Sequence, residues 1–306
     1  MHKVGFVYDD AMLKHAPPPW HPESKERLLR ILTSLKNSDL WERLAQIKPQ
    51  RADFDDIALV HTREYIEKIR TSGEGCLDPD TYTSKDSLEA ARYAAGAIIE
   101  AVKRCNDNEV ARVFCAVRPP GHHAEADSGM GFCLFNNIAI GARYAQTIGY
   151  QKVFIIDFDA HHGNGTQHIF EEDDTVFYFS THQYPYYPDT GMDSERGKGK
   201  GTGYTYNVQM LAGSGNKDYL YVYQDILPDL VRRFSPDIIL VSAGYDIHAN
   251  DHHANIRVTS EGIRGMVRSI LTCSSTPIVF TLEGGYHLDS LVECVSITLE
   301  EMIEAV

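Results

Sequence analysis

The segment DFDAH at residues 157–161 places three polar side chains at alternate positions, Asp157, Asp159 and His161. In an extended chain alternate side chains point to the same side, so these three groups would share one side. Burying a carboxylate at the end of a strand is costly unless a cation or a strong donor satisfies it. The pattern therefore predicts a metal ion bound by Asp159 and His161, with Asp246 as the third protein ligand.

This ligand set combines carboxylates with an imidazole, which fits Zn²⁺ and also Fe²⁺, Co²⁺ or Mn²⁺. Three protein ligands leave one position open for water, as catalytic sites do. The residues after His161 are HGN, which supply no further carboxylate, so we expect one metal ion rather than two. The chemistry that this arrangement predicts is hydrolysis by a metal-activated water.

Two further candidates, His122 and His123, follow the segment PPG at residues 119–121. Proline and glycine favour a stiff turn, so the two imidazoles would project at a set angle. A metal-bound water needs a base to take its proton and an acid to protonate the leaving amine, and the pKa of histidine suits both tasks. A histidine pair in a loop is more often exposed and inert, but its place after a predicted buried strand favours catalysis.

A last candidate is Tyr286, which follows the segment EGG at residues 283–285. Glycines allow the backbone and the ring to come close to a ligand. A phenol opposite the metal could donate a hydrogen bond to a carbonyl oxygen as it becomes an oxyanion, worth roughly 3–4 kcal/mol in comparable cases. The segment Gly-Gly-Tyr alone is a weak signal.

The candidate residues follow predicted strands. Short β-branched and apolar runs alternate with longer helical patterns, which predicts an α/β domain with helices on both faces of a parallel sheet. We expect strands at residues 3–8, 112–117, 152–157, 175–180, 237–242 and 277–282. We expect helices at residues 24–35, 85–104, 136–147, 217–234, 260–272 and 288–305. Because ligands bind outside the carboxyl ends of parallel strands, four of these ends would bring the candidate side chains to one edge.

The composition is that of an ordinary globular protein, with 43% apolar and 24% charged residues in 306. We expect one domain over residues 1–306, in which the long polar loops 9–22 and 181–202 either shape the site or are tolerated insertions. A net charge of −14 argues against a nucleic-acid-binding surface. Six cysteines without a CxxC pair, and the lack of a signal-peptide or membrane-spanning pattern, predict a cytoplasmic protein without a membrane partner.

Seven segments occur in order between Arg118 and Leu288: RPPGHHAE, GFCLFNN, DFDAHHGNG, YFSTHQYPYYPDTG, GYTYNV, VSAGYD and LEGGYHL. With these segments the chain resembles the histone deacetylase family. Near the start, HPESKERL resembles the N-terminal loop of the family. Asn164 stands where class I members have Asp, which favours the class II-like and bacterial branch, including acetylpolyamine amidohydrolases. The resemblance implies an arginase–deacetylase-like three-layer α/β fold with a central, mostly parallel eight-stranded sheet.

The resemblance implies that zinc is held by the three ligands already identified, with Fe²⁺ or Co²⁺ as possible substitutes. His123 would be the general base, supported by Asn164. His122 would be its electrostatic or acid partner, oriented by Asp157. Tyr286 would polarise the scissile carbonyl.

The resemblance also implies a narrow tunnel for an acyl-lysine-like chain. Phe132 and Tyr187 would line this tunnel, and the Gly131 carbonyl would accept a hydrogen bond. Asp80 resembles the rim aspartate that grips the substrate backbone, although Asp78 is close to it in sequence.

Two potassium sites are implied as well. The structural site would use Asp157, Asp159, His161, Ser180 and Thr181. The second monovalent site would lie near Phe170, Asp173, Val176 and Tyr204.

One departure from the family leaves the substrate open. His253 stands where related sequences have Leu, or Glu in polyamine-selective members, and it supports neither preference. The substrate is therefore an acyl-lysine protein or peptide, or an acetylpolyamine or other acylated small amine. A catalytically silent acyl-lysine reader is a third interpretation, and an arginase-like ureohydrolase would need a second metal site. An oligomer is compatible with all of these.

Overall fold

Apolar β-branched runs form the centre of a parallel sheet in this computed structural model, which describes residues 4–305. Within those residues there are ten strands: β1 (Val4–Val7), β2 (Leu44–Ile47), β3 (Gly75–Cys76), β4 (Tyr82–Thr83), β5 (Arg112–Cys115), β6 (Val153–Asp157), β7 (Val176–Gln183), β8 (Thr205–Met210), β9 (Ile238–Ala243) and β10 (Ile278–Leu282). Eight form one sheet in the order β2-β1-β5-β10-β9-β6-β7-β8, and every neighbouring pair is parallel. Strands β3 and β4 form a separate antiparallel hairpin.

Eleven α-helices occur in the same residues: α1 (Glu26–Lys36), α2 (Leu40–Arg43), α3 (Phe54–Ile57), α4 (Arg63–Thr71), α5 (Ser87–Asn106), α6 (Asn137–Thr147), α7 (Asn164–Phe170), α8 (Asn216–Tyr221), α9 (Leu227–Phe234), α10 (Ser260–Thr272) and α11 (Leu288–Glu304). Helices α5 and α6 pack together against the sheet, while α1 and α10 pack on α11. The expected three-layer fold is confirmed, and its sheet is parallel throughout.

The two helical layers bury the central strands completely. Every residue of β6, β9 and β10 is buried, as parallel strands covered on both faces require. The carboxyl ends of β5, β10, β9 and β6 are adjacent in the sheet, so the residues that follow these four strands share one edge. Along the described chain, no helix has both the length and the apolar character needed to cross a membrane.

The six predicted strands are confirmed to within about three residues at their ends, although Lys3 lies outside the described residues. The helix predicted at residues 217–234 is confirmed, but its middle turn is not α-helical. A π-helical turn at Val222–Ile226 separates α8 from α9, and Pro228 lies in the first turn of α9. Proline cannot donate the main-chain hydrogen bond that an uninterrupted helix needs there, so the ladder is interrupted just before it.

Candidate active site

Three side chains converge at the carboxyl edge of the sheet. Asp159 and His161 lie in the turn after β6, and Asp246 lies in the turn after β9. One ligand atom from each residue lies within 4.8 Å of the other two. His161 Nδ1 is 3.1 Å from Asp159 Oδ1 and 3.1 Å from Asp246 Oδ2. Strands β6 and β9 are paired in the sheet, and this pairing brings the three predicted metal ligands together.

The hydrogen bonds around these ligands fit a metal ion. His161 Nε2 lies 3.2 Å from the His253 carbonyl oxygen, and only an N–H can donate to a carbonyl. The Nδ1 lone pair of a neutral imidazole would then point at two carboxylates and be repelled by them. A cation bound between the three groups would replace this repulsion with attraction. Main-chain amides orient the acids, because Gly284 N donates to Asp159 (2.8 Å) and Ala160 N donates to Asp246 (2.9 Å). Burial and the Asp159 charge raise the pKa of Asp246 to about 6, a cost that a bound cation would offset.

The two histidines after β5 have contrasting partners. His122 Nδ1 donates to Asp157 Oδ2 at 3.0 Å, and His123 Nδ1 donates to the amide oxygen of Asn164 at 2.8 Å. Burial disfavours a charged His122, but Asp157 and Asp159 outweigh it and raise the pKa of His122 to about 10. Burial and the nearby His122 hold the pKa of His123 well below its usual value. The two rings are 4.0 Å apart between centroids, and their surroundings favour a charged imidazole at His122 and a neutral one at His123.

A cavity of about 150 Å³ opens onto these groups. Besides Pro120 and Gly284, it is lined by predicted site residues: Asp80, His122, His123, Gly131, Phe132, Asp159, His161, Tyr187, His253 and Tyr286. Three predicted residues lie behind this lining and contact it: Asp157 orients His122, Asn164 orients His123, and Asp246 lies against His161. Of the two rim candidates, Asp80 lines the cavity, whereas an oxygen of Asp78 accepts the main-chain amide of Asp80 at 3.0 Å.

Aromatic rings form the cavity walls. The Tyr187 ring lies 5.5 Å from His123, and the Phe132 ring lies 5.8 Å from Tyr286, measured between centroids. Gly131 has a φ of +55°, and a Cβ there would lie 2.4 Å from the His123 ring. Glycine is therefore required where this loop passes the histidine.

Tyr286 follows β10 and faces His253 across 4.4 Å between ring centroids. Burial raises the pKa of Tyr286 well above its usual value, so the phenol keeps its proton and can donate a hydrogen bond. A Cβ at Gly284 would lie 2.4 Å from Asp246 Oδ2, so glycine lets this loop pass close to the metal ligands.

The two predicted potassium sites differ in the surroundings of their residues. Asp157 and Ser180 are register partners on β6 and β7, and Thr181 follows on β7. In the second set, the Asp173 carboxylate is paired with Arg143, whose guanidinium lies 4.6 Å from the Phe170 ring centroid. Potassium at either place remains a prediction.

Sequence reasoning did not identify Glu283 as a site residue. Its buried carboxylate accepts the amides of Gly121 (2.7 Å) and His122 (3.2 Å) and thereby holds the turn that carries the histidine pair. Burial raises the pKa of Glu283 to about 7. Its place directly after the buried strand β10 was a usable signal.

Arg27 was also missed. Fully buried on α1, it donates to the carbonyl oxygens of Glu283 and Gly285, and its guanidinium lies 5.0 Å from the Tyr286 ring centroid. An arginine in an amphipathic helix is ordinarily exposed, so no local pattern distinguished it.

Comparisons with known proteins agree with this geometry. The family model described as histone deacetylase domain matches residues 21–302. A probable deacetylase of Archaeoglobus fulgidus is 37% identical over 294 residues, covering 94% of this chain and 82% of the relative. Histone deacetylase 5 of Arabidopsis thaliana is 36% identical over 325 residues, covering 98% of this chain and 49% of the relative. The chain therefore spans about half the length of that plant relative.

The solved structures include a similar fold. The crystal structure of the HDA15 HD domain matches with a TM-score of 0.96 and 34% sequence identity. The match covers 100% of this chain and 91% of that structure.

Proposed function

This chain belongs to the histone deacetylase family, and from that premise we propose that it removes acetyl or other acyl groups from the ε-amine of lysine in proteins or peptides, as a zinc-dependent amidohydrolase. Family membership supports a hydrolytic deacetylase. The observation that carries the finer proposal is the cavity, which is lined by Asp159 and His161 with Asp246 directly behind them, and also by the imidazole of His123 and the phenol of Tyr286.

The proposed zinc ligands are Asp159, His161 and Asp246, whose geometry suits one ion with an open position. Bound there, zinc would polarise the scissile carbonyl and lower the pKa of a coordinated water towards about 7. Fe²⁺ or Co²⁺ could replace it, because mixed carboxylate and imidazole sites accept both.

His123 is the proposed general base. Its Nδ1–H is donated to Asn164, which leaves Nε2 free to accept a proton from the attacking water. The amide of Asn164 carries no charge, so it orients the ring without stabilising the imidazolium as a carboxylate would. The base is therefore neutral before the reaction, as proton abstraction requires.

His122 is the proposed cationic partner. Asp157 keeps its ring oriented and charged, so it can stabilise negative charge that develops on the substrate. An imidazolium at His123 or His122 then protonates the departing amine. Tyr286 donates its phenol proton in a hydrogen bond to the carbonyl oxygen as that oxygen becomes an anion.

The remaining cavity residues are proposed to hold the substrate. Phe132 and Tyr187 enclose the apolar stem of the acyl-lysine. The carbonyl of Gly131 accepts the substrate amide N–H, and Asp80 binds the substrate backbone at the rim, with His253 beside Tyr286.

Replacing Tyr286 with Phe tests this mechanism. We expect kcat on a fluorogenic acetyl-lysine peptide to fall by about 10²–10³, because the oxyanion loses one donor. Metal content, measured on the same preparation, should be unchanged because Tyr286 is not a ligand. Near-normal turnover would remove Tyr286 from the mechanism.

A second candidate substrate is an acetylpolyamine or another acylated small amine. It is favoured by the chain's net charge of −14, which suits a cationic substrate, whereas His253 at the cavity supports neither candidate. Comparing kcat/KM for an acetyl-lysine peptide with that for acetylputrescine or acetylspermidine separates the two. A silent acyl-lysine reader would show no turnover on any of these, and the intact set of catalytic residues argues against it.

Further proposals follow from the family resemblance. A structural potassium ion would bind at Asp157, Asp159, His161, Ser180 and Thr181, and a second at Phe170, Asp173, Val176 and Tyr204. We place the protein in the cytoplasm as one domain, with acylated proteins or amines as its partners. Potassium binding would be tested by measuring turnover and the unfolding temperature in a K⁺ salt and in the salt of a large organic cation. Higher values in K⁺ would support a bound potassium ion.

A further inference from the structure

Asp251, in the loop between β9 and α10, is 1% exposed and binds four hydrogen-bond donors. Its Oδ2 accepts the main-chain amides of Tyr286 (2.6 Å) and His287 (2.9 Å). Its Oδ1 accepts both the amide and the Nδ1–H of His253, each at 3.0 Å. One buried carboxylate therefore joins the two segments that carry Tyr286 and His253.

The Tyr286 segment needs such a restraint. It follows Gly284 and Gly285, and Gly285 has a φ of +114°, so the preceding backbone is conformationally permissive. Helix α11 begins only at Leu288, so the amides of Tyr286 and His287 lie before the helix and have no partner within it. Asp251 supplies the acceptor for both amides.

The same carboxylate fixes the ring that packs on the phenol. Because a carboxylate only accepts, the proton on the His253 ring resides on Nδ1, and the ring is held from that side. The His253 and Tyr286 rings are then 4.4 Å apart between centroids, at an interplanar angle of 50°. The positions of both rings depend on one residue that does not itself line the cavity.

We propose that Asp251 is a positioning residue, which holds the backbone of Tyr286 and the ring of His253 in the arrangement that deacetylation requires. The inference rests on the proposed function, because it assigns to Asp251 an effect that passes through Tyr286. A misplacement of about 1 Å at a reacting centre can reduce a rate about 10²-fold, so losing this restraint should reduce kcat more than it changes KM.

A double-mutant cycle between Asp251 and Tyr286 tests the inference. The variants are Asp251→Ala and Asp251→Asn, each made in the wild-type and in the Tyr286→Phe background. Single-turnover rates on an acetyl-lysine peptide, zinc content and thermal unfolding are measured for every variant. The matched control is His252→Ala, an exposed neighbour outside the cavity, whose kcat should equal that of the wild type.

We expect Asp251→Ala to lower the single-turnover rate by about 10–100-fold in the wild-type background. In the Tyr286→Phe background, Asp251→Ala should lower the single-turnover rate by less than about threefold, because the effects of residues that act as a unit are not additive. The single-turnover rate of Asp251→Asn should lie between those of the wild type and Asp251→Ala. The amide oxygen of Asn can still accept one pair of donors, while its NH₂ group faces the other pair. If Asp251→Ala does not fold, the rate losses caused by Asp251→Asn in the two backgrounds are compared instead.

Equal rate losses in both backgrounds would overturn the inference, because they would indicate a general structural role. An unchanged rate in Asp251→Ala would overturn it as well. Failure of the proposed function would be recognised separately, since Tyr286→Phe alone would then retain its activity.

Discussion

The floor and the mouth of the cavity differ in how their residues are held. At the floor, Asp159 and Asp246 are 1% and 0% exposed and are oriented by main-chain amides. At the mouth, Tyr187 is 38% exposed and the side chain of His253 is 39% exposed, and both residues lie in long loops. The difference indicates that the chemistry is fixed by neighbouring strands, whereas loops determine which substrate reaches it.

The largest loss of activity is expected from removing a metal ligand at the floor of the cavity. Replacing Asp246 with Asn removes one ligand, and we expect turnover to fall by about 10³-fold or more, because the several kcal/mol that the metal supplies are lost. Zinc content after dialysis, measured with the turnover, checks this result.

The stability of the same variant provides a control. In the metal-free state Asp246 is a buried acid whose pKa is raised to about 6, so removing its charge should not lower the free energy of unfolding at pH 7.5. A chelator should lower the unfolding temperature of the wild type but not that of Asp246→Asn. Full metal content in the variant would contradict the assignment of this ligand.

A smaller effect is expected at the mouth. His253→Leu should change the ratio of kcat/KM between an acetyl-lysine peptide and acetylspermidine by about tenfold, the scale expected for one changed contact in a substrate site. Zinc content should stay the same, because the His253 carbonyl that accepts from His161 belongs to the main chain. A variant that lost zinc together with activity would show that floor and mouth are not separable.

The smallest effect on activity, at pH 7.5, is expected from His61, a histidine that does not line the cavity. His61 is 3% exposed, and burial holds its pKa at about 4. Between pH 6.5 and 4 the unfolded chain binds a proton that the folded chain does not, so stability falls as pH falls, by up to about 3 kcal/mol for this residue. Urea unfolding of metal-free wild type and His61→Gln from pH 7.5 to 4.5 checks this, and the variant should lose less stability. An identical pH dependence would exclude His61 as a cause.

The sequence predicted the interior of the sheet better than its edges. The central strands β6, β9 and β10 are continuous apolar runs, and burial on both faces produces that pattern. The edge strand β2 has only four residues, LAQI, and β8 reads TYNVQM, so neither carries a clear pattern. Their positions are determined by pairing with neighbours rather than by local preference.

For the site, the sequence predicted the groups that follow strands and, through the family resemblance, the orienting residues Asp157 and Asn164, but it missed the residues that hold the main chain. Asp159, His161 and Tyr286 could be identified because their types and spacing suit chemistry. Arg27 and Asp251 act by hydrogen-bonding the main chain of segments distant in sequence. Nothing in the residues around them reveals such partners, which exist only after the chain has folded.

The pairing of β6 with β9 has a consequence for assembly of the metal centre. His161 and Asp246 are 85 residues apart in the chain, so an ion held by both closes a long loop. Tight binding must await alignment of the two strands, so ion uptake cannot precede that alignment during refolding. The time course of metal capture by a refolding chain would thus report when the middle of the sheet becomes native.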